Sequence, residues 1–270
     1  MRADLLAEAA AGTVNGTGNL TVDLTQMGIT LAKVSAQAPG GEFVDYAATA
    51  MTPGYFGLYT DAVGAGSRND GGGAESQVIF TDTLTTNGYQ FVLPVHLKGS
   101  VGISYTIPNT TFNEPPEALV HLQFACIAYV GIQDTCNIQN PDSTDYTQST
   151  NIDETILFEA NTQPGVPFFF EYYFREFSIA SLGLNSADSW QAGVLGDFSH
   201  TGIVQPAEVL DANGNVIENP VITSASGYDY LHPVGPQTPV PEPRATGLVA
   251  GLLGALWVAA RRRVHAMRYW

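Results

Sequence analysis

The chain has few basic residues. Its 270 residues include 10 Lys and Arg against 26 Asp and Glu, which gives a formal net charge of −16 at pH 7. The imbalance is concentrated before Pro241, where five basic residues stand against 25 acidic ones. A body this acidic repels polyanions, so we expect it to bind neither nucleic acid nor an anionic membrane surface.

Motifs of common enzymes and metal sites are also missing. The chain has no His-Glu-x-x-His pair and no Gly-x-Ser-x-Gly nucleophile turn, and Gly64 and Gly66 lack the third glycine of a nucleotide-binding loop. We interpret the histidines as surface or hydrogen-bonded residues, since none has a metal-binding partner at helical spacing: His96, His121, His200, His232 and His265. The sequence therefore predicts no catalytic residue, no metal ligand set and no cofactor.

Helical periodicity is scarce between residue 12 and the tail. Short alternating runs separated by Gly, Asn and Ser recur instead, which is typical of strands. The clearest are residues 119–130 and the aromatic run 166–177, whose even-numbered positions share one face. Further strands are predicted at 19–25, 76–84, 90–98, 101–107, 190–195, 198–204, 207–210 and 215–217. Asn15-Gly16 predicts a tight turn, Asn87-Gly88 and Asn213-Gly214 each predict a tight hairpin, and residues 139–153 predict a polar loop.

These patterns predict an all-β fold. We expect residues 12–236 to form a jelly-roll-like β-sandwich of antiparallel strands, followed by a C-terminal hydrophobic helix. The densest part of the core is expected at Phe168, Phe170, Tyr172 and Phe174.

One uncharged run stands out near the C-terminus. Residues 245–260 carry no charge, and Arg261, Arg262 and Arg263 follow directly. As a helix the run would be about 24 Å long, short of the ~30 Å bilayer core. The linker before it, residues 237–244, contains Val240, Pro241, Glu242 and Pro243. Residues 245–270 thus predict a short membrane helix with a basic tail that stays on the cytoplasmic side.

This tail resembles the PEP-CTERM sorting signal of Gram-negative bacteria. The matching residues are Pro241, Glu242 and Pro243, the run 248–256 and the three arginines, whereas the extension 264–270 is longer and less basic than usual. The resemblance implies transient insertion into the inner membrane and processing by exosortase. It also implies export to the cell surface or extracellular matrix, where extracellular polysaccharide is a candidate partner.

The body carries weaker resemblances to exported proteins of the same family. The matching segments are residues 80–85, 197–201, 209–216 and 223–227. They imply a β-sandwich and say little about activity. On this basis we expect a non-catalytic surface or matrix protein.

The N-terminus does not look like a signal peptide. Residues 1–11 contain Asp4 and Glu8 and lack an apolar core of about 7–15 residues. Because a sorting tail requires export, we expect these residues to be an unstructured remnant of a leader, or its replacement, with the true start upstream.

Cysteine is limited to Cys126 and Cys136, on either side of Gly131. In an exported protein this spacing predicts a disulfide across a hairpin, which would stabilise the fold by roughly 2–3 kcal/mol. The alternative is two unpaired thiols, with Cys126 packed on the apolar face of its strand.

The sequence is also compatible with two alternative functions. A carbohydrate-binding module would use exposed aromatic residues such as Trp190 and Tyr228. A secreted glycan hydrolase would need paired carboxylates, but Glu171 and Glu176 fall on opposite faces of one strand and are expected to be solvated or locally paired.

Calcium is a weak candidate ligand because acidic oxygens are abundant. Asp211, Asn213 and Asn215 resemble part of a calcium loop, but the glutamate at its twelfth position is absent and a hairpin turn explains the same residues. A second acidic group is Asp142, Asp145 and Asp153.

Overall fold

The computed structural model describes residues 5–14, 21–25, 28–38, 41–52, 54–66, 71–106, 117–131, 133–139, 143–181 and 190–233. They belong to one unit, Met1–Pro239. Every regular element among them is a strand, as predicted. In chain order these are β1 (Leu5–Val14), β2 (Thr21–Thr25), β3 (Gly28–Ala38), β4 (Gly41–Thr52), β5 (Tyr55–Gly66), β6 (Gly71–Thr86), β7 (Gln90–Thr106), β8 (Glu117–Val130), β9 (Gln133–Asp134), β10 (Cys136–Ile138), β11 (Ser143–Tyr146), β12 (Thr150–Asn161), β13 (Phe168–Ser181), β14 (Trp190–Val204), β15 (Glu208–Leu210) and β16 (Ile222–Ser224).

The strands form two antiparallel sheets, an arrangement consistent with the predicted β-sandwich. Sheet 1 has the order β11-β8-β13-β6-β1-β2, with β9 paired to β8 and β16 paired to β6. Sheet 2 has the order β10-β12-β7-β14-β5-β4-β3, with β15 paired to β7. Several consecutive strands lie in different sheets, so the chain crosses the core repeatedly.

Aromatic rings fill the space between the sheets. Along β13, every second side chain from Phe168 to Ala180 is buried. Phe174 lies 4.4 Å from Phe56 of sheet 2, measured between ring centroids, and Phe170 lies 5.2 Å from Phe91. On the neighbouring strand β8, four of the positions that pair with these buried residues are buried too, namely Val120, Leu122, Phe124 and Ala128. The predicted aromatic core is confirmed.

The Asn87-Gly88 turn does not close a hairpin, so that prediction is wrong. β6 enters the turn from sheet 1, and β7 leaves it in sheet 2. The backbone N–H of Asn87 donates to the Val221 oxygen at 3.2 Å, and the Asn87 side-chain oxygen accepts from the Val221 N–H at 2.9 Å. A Cβ on Gly88 would lie 2.3 Å from Val209 Cγ1, so close packing also requires glycine there.

Of the other two predicted turns, Asn15-Gly16 lies outside the described residues, and Asn213-Gly214 does close a tight hairpin. The Asp211 N–H donates to the Asn215 oxygen at 2.9 Å, and Gly214 has a φ of 81°. That left-handed conformation suits glycine because it has no Cβ. The strand expected at 215–217 is reduced to one bridge between Leu210 and Val216.

Other differences concern strand boundaries. Leu5–Val14 forms a strand paired to β6, where the sequence predicted an unstructured segment up to residue 11. Strands β11 and β12 occupy much of the predicted polar loop. The runs 90–98 and 101–107 form the single strand β7, and 190–195 and 198–204 form β14, which has a register shift between Phe198 and Gly202.

Residues 234–270 lie outside the described part of the chain. The predicted tail helix is therefore an expectation only. Among the described residues, no helix has the length and apolar character needed to span a bilayer.

Candidate functional site

A disulfide joins Cys126 to Cys136, with the two sulfur atoms 2.08 Å apart. The predicted bond is present, but it does not cross a hairpin. Cys126 belongs to β8 of sheet 1, whereas Cys136 belongs to β10 of sheet 2. The chain reaches the second sheet through Asp134, whose Oδ1 accepts the N–H groups of Ala128 and Cys136, both at 3.1 Å. The bond therefore ties the two layers of the fold together.

Replacing both cysteines with alanine should lower the free energy of unfolding by about 2–3 kcal/mol, because the closed loop spans 10 residues. Urea unfolding measures this loss, and dithiothreitol should cause a similar loss in the unchanged protein. The double variant is the control, since the reductant should leave its unfolding curve unchanged. Two free thiols in non-reducing peptide mapping of the protein from its native host would contradict the bond.

Glu176 of β13 lies fully buried between the sheets, surrounded by hydroxyl groups. Thr60 of β5 donates its hydroxyl proton to Glu176 Oε1 at 2.8 Å, and Ser76 of β6 donates to Oε2 at 3.4 Å. The Ser178 hydroxyl in turn contacts the Thr60 hydroxyl. A Cβ on Gly196 would lie 1.5 Å from Oε1, so this glycine makes room for the carboxyl group.

Burial raises the pKa of Glu176 to about 8. The hydrogen bond from Thr60 lowers this pKa, the nearby charge of Asp197 raises it, and the bond from Ser76 lowers it. Desolvation exceeds the effect of the hydrogen bonds, so the carboxyl group carries its proton at neutral pH. A neutral carboxylic acid can stay in the interior at a far lower free-energy cost than a carboxylate.

Glu171 and Glu176 point to opposite faces of β13, as predicted. Glu176 is not solvated, however, and Glu171 lies half-buried on the outer face of sheet 1. Burial there raises the pKa of Glu171 above its ordinary value. Two carboxyl groups separated by a sheet cannot flank one glycosidic bond, so this pair does not form a hydrolase site.

Asp82 of β6 forms a second buried polar cluster. Its carboxylate accepts the N–H and hydroxyl of Ser226, at 3.1 and 2.6 Å, and the hydroxyl of Tyr230 at 3.1 Å. The Thr83 N–H donates to it as well, at 2.7 Å. Asp82 thus connects two of the segments noted in the sequence, 80–85 and 223–227, which stand far apart along the chain. Sequence reasoning did not predict their contact.

The segment 197–201 forms an irregularity in β14. The Ser199 hydroxyl donates to Asp197 Oδ1 at 2.7 Å, and the Tyr55 hydroxyl donates to the Ser199 carbonyl oxygen at 3.0 Å. A Cβ on Gly57 would lie 2.1 Å from that oxygen. Asp197 and Ser199 thus stabilise the irregular part of the strand.

Tyr228 is not an exposed sugar-binding ring. Its ring packs edge-on against Tyr230 with 4.9 Å between centroids, and its hydroxyl is buried without a hydrogen-bond partner among the described residues. Burial, with a smaller effect of Asp229, raises its pKa to about 12. Trp190 begins β14, and its side chain lies outside the described part of the structure.

The candidate calcium ligands have other partners. Asp211 Oδ1 accepts the N–H groups of Asn213 and Asn215 at 2.8 and 2.9 Å, so its carboxylate stabilises the hairpin turn. These bonds hold the pKa of Asp211 below its usual value. Asp145 contacts His121, Asp153 contacts His96 and Lys98, and Asp142 lies outside the described residues.

The histidines also follow the expectation of hydrogen-bonded surface residues where they are described. His232 lies 3.0 Å from Asp229, and His96 and His121 have the aspartate partners given above. The side chain of His200 and all of His265 lie outside the described part. Within the part of the chain that the structure describes, no three His, Cys, Asp or Glu side chains are placed to hold a metal ion.

The sorting motif and basic stop, residues 240–243 and 261–263, are also outside the described ranges. In comparisons with protein-family models, curated proteins and solved structures, nothing matches this chain.

Proposed function

We propose that this chain is an exported protein of the cell surface or extracellular matrix, with a non-catalytic, jelly-roll-like body and a C-terminal signal processed by exosortase. The observation that carries the export proposal is the bond between Cys126 and Cys136. Structural disulfides form and persist in oxidising compartments and are rare in the cytosol. A cross-link between the two layers of a β-sandwich suits a protein that must stay folded outside the cell.

The sorting proposal comes from the tail. A run of 16 uncharged residues with three glycines is marginal as a permanent anchor, because each glycine weakens a helix by up to ~1 kcal/mol and the span is short. The same run is sufficient as a temporary stop, with Arg261, Arg262 and Arg263 resisting translocation. Pro241 and Pro243 keep the preceding segment extended, which is the conformation that a protease binds.

We expect the mature protein to end at or near Pro241-Glu242-Pro243. Intact-mass measurement of surface protein from the native Gram-negative host tests this. A matched variant with alanine at residues 241–243 should keep the full tail and remain in the inner membrane. Mature protein that still ends at Trp270 would show that the tail is a permanent anchor and that the sorting proposal is wrong.

A further inference from the structure

The exposed large apolar side chains of the described residues share one end of the fold. They are Tyr89 at 51%, Tyr129 at 40%, Val166 at 38%, Val216 at 57% and Val221 at 54% exposure. The pairings of β6, β7, β8, β9, β12, β13, β15 and β16 place the described residues of their connections at this same end, namely 86–90, 130–131, 133, 161–168 and 210–222. We call these connections the loop end. Exposed apolar side chains concentrated at one end of a fold indicate an interaction site.

The loop end is held in place by backbone hydrogen bonds. The Tyr89 N–H donates to the Leu210 oxygen at 2.8 Å, and the Thr162 N–H donates to the Tyr89 oxygen at 2.8 Å. The ring of Tyr129 stacks on Phe169, with 6.3 Å between centroids. A surface that is ordered before binding loses little conformational entropy when a ligand arrives.

The charge at the loop end has one sign. Asp134, Glu208, Asp211 and Glu218 belong to it or border it. The described basic side chains are remote: Lys98 lies eight residues along β7 from Gln90, roughly 27 Å away at about 3.3 Å per residue. Arg175 lies six residues along β13 from Phe169, roughly 20 Å away by the same measure, and it pairs with Glu75. Like charge disfavours a second copy of this end, a nucleic acid or an anionic lipid as the partner.

We propose that the loop end binds a polysaccharide of amino sugars that carry free ammonium groups. Tyrosine rings offer an apolar face for the C–H face of a sugar, and the same rings attract a cation. The carboxylates pair with the ammonium groups, and the amides of Asn213, Asn215 and Asn219 offer partners for hydroxyl groups. This inference rests on the proposed location outside the cell, where such polymers are found.

The test is calorimetric titration of the full chain in mild detergent with a glucosamine hexamer, at a mildly acidic pH where the amines are protonated. We expect binding that falls about tenfold or more when Tyr89 and Tyr129 are both changed to alanine. Changing Glu208 and Glu218 to glutamine should weaken it as well. The matched control is Glu154→Gln, which removes an exposed carboxylate on β12 away from the loop end and should leave affinity unchanged.

Two further ligands distinguish recognition of amino sugars from general charge attraction and from sugar binding that needs no ammonium groups. The fully N-acetylated hexamer should bind at least about tenfold more weakly, and hexalysine should not match the glucosamine hexamer. Equal binding of hexalysine would mean that general charge attraction operates, and equal binding of the acetylated hexamer would remove the need for ammonium groups. Either result, no binding, or affinity unchanged by the tyrosine substitutions, overturns this inference. The mature C-terminus is measured independently, so the sorting proposal can stand when this one fails.

Discussion

The protein should lose stability as the pH rises from about 4.5 to about 8, the ordinary pKa and the folded-state pKa of the Glu176 carboxyl group. Changing Glu176 to glutamine should abolish most of this pH-dependent loss. Below this range the group is protonated in both the folded and the unfolded chain. Within it, the unfolded chain loses the proton while the folded chain keeps it. The folded state then binds more protons, so the free energy of unfolding falls with pH and levels off above the folded pKa.

The expected size of this loss is on the order of 5 kcal/mol, at about 1.4 kcal/mol for each unit of pKa difference. A large value is physically reasonable because Glu176 is fully buried and its two described hydroxyl donors only partly replace water. Glutamine keeps the size of the side chain and one acceptor for Thr60, but it has no charge to desolvate. The Asp197 carboxylate, the charged group that raises the Glu176 pKa, remains in both proteins.

Urea unfolding across this pH range measures the effect in the unchanged protein and in Glu176→Gln. Other carboxyl groups titrate in both proteins, so the difference between the two curves isolates Glu176. The exposed substitution Glu154→Gln serves as the matched control and should follow the unchanged protein. Parallel curves for the unchanged protein and Glu176→Gln would show that the buried carboxyl group does not hold its proton.

The burial of Glu176 could be predicted in part from the sequence. The alternation that places Phe168, Phe170, Tyr172 and Phe174 inside continues to Glu176, because strand side chains alternate strictly between faces. A charged residue that falls in register with four aromatic core positions predicts either a strand end or a buried acid. Residue type alone favours the exposed interpretation, since glutamate is rarely fully buried.

The long-range pairings were not predictable in the same way. Asn87-Gly88 is a local signal for a tight turn, but it does not specify which sheet the next strand joins. The disulfide shows the same limit: ten residues of separation fit a hairpin, yet Asp134 redirects the chain into sheet 2. Strand identity depends on periodicity within about 10 residues, whereas sheet membership depends on packing between distant segments.

The loop end illustrates why residue type alone does not identify exposed aromatic side chains: Tyr228 is partly buried. Trp190 and Tyr228 were chosen by residue type, which carries no information on exposure. Tyr89 is exposed because it lies in the bend between β6 and β7, next to Gly88, and Tyr129 is exposed because it lies on the outer face of β8, one residue before the strand ends. Only the pairing of several strands shows that these positions share one end.

Changing Asp82 to alanine should be the most destabilising single change in the second polar cluster, with a loss of about 2–4 kcal/mol. Asp82 is only 2% exposed, and its removal leaves the N–H and hydroxyl of Ser226 and the hydroxyl of Tyr230 without their acceptor. The Tyr230 hydroxyl would be left buried without compensation, whereas Ser226 is exposed, so its N–H and hydroxyl can bond to water and to Ser224 instead. Equilibrium urea unfolding measures the loss, and the exposed Asp229→Ala is the matched control.

The loss of stability in Asp82→Ala should also be concentrated in one segment of the chain. Asp82 bonds Ser226 and Tyr230 across 144 and 148 residues of sequence, and the Tyr230 ring packs edge-on against Phe80 and Phe91 in the core. Hydrogen exchange in Asp82→Ala should therefore accelerate first at the amides of 222–230, before the rest of sheet 1 opens. Tyr230→Phe removes one hydroxyl and keeps the ring, so it should cost only about 1–2 kcal/mol. If exchange in Asp82→Ala rises uniformly across both sheets, or if Tyr230→Phe costs as much as Asp82→Ala, the carboxylate does not act as the specific attachment point of this segment.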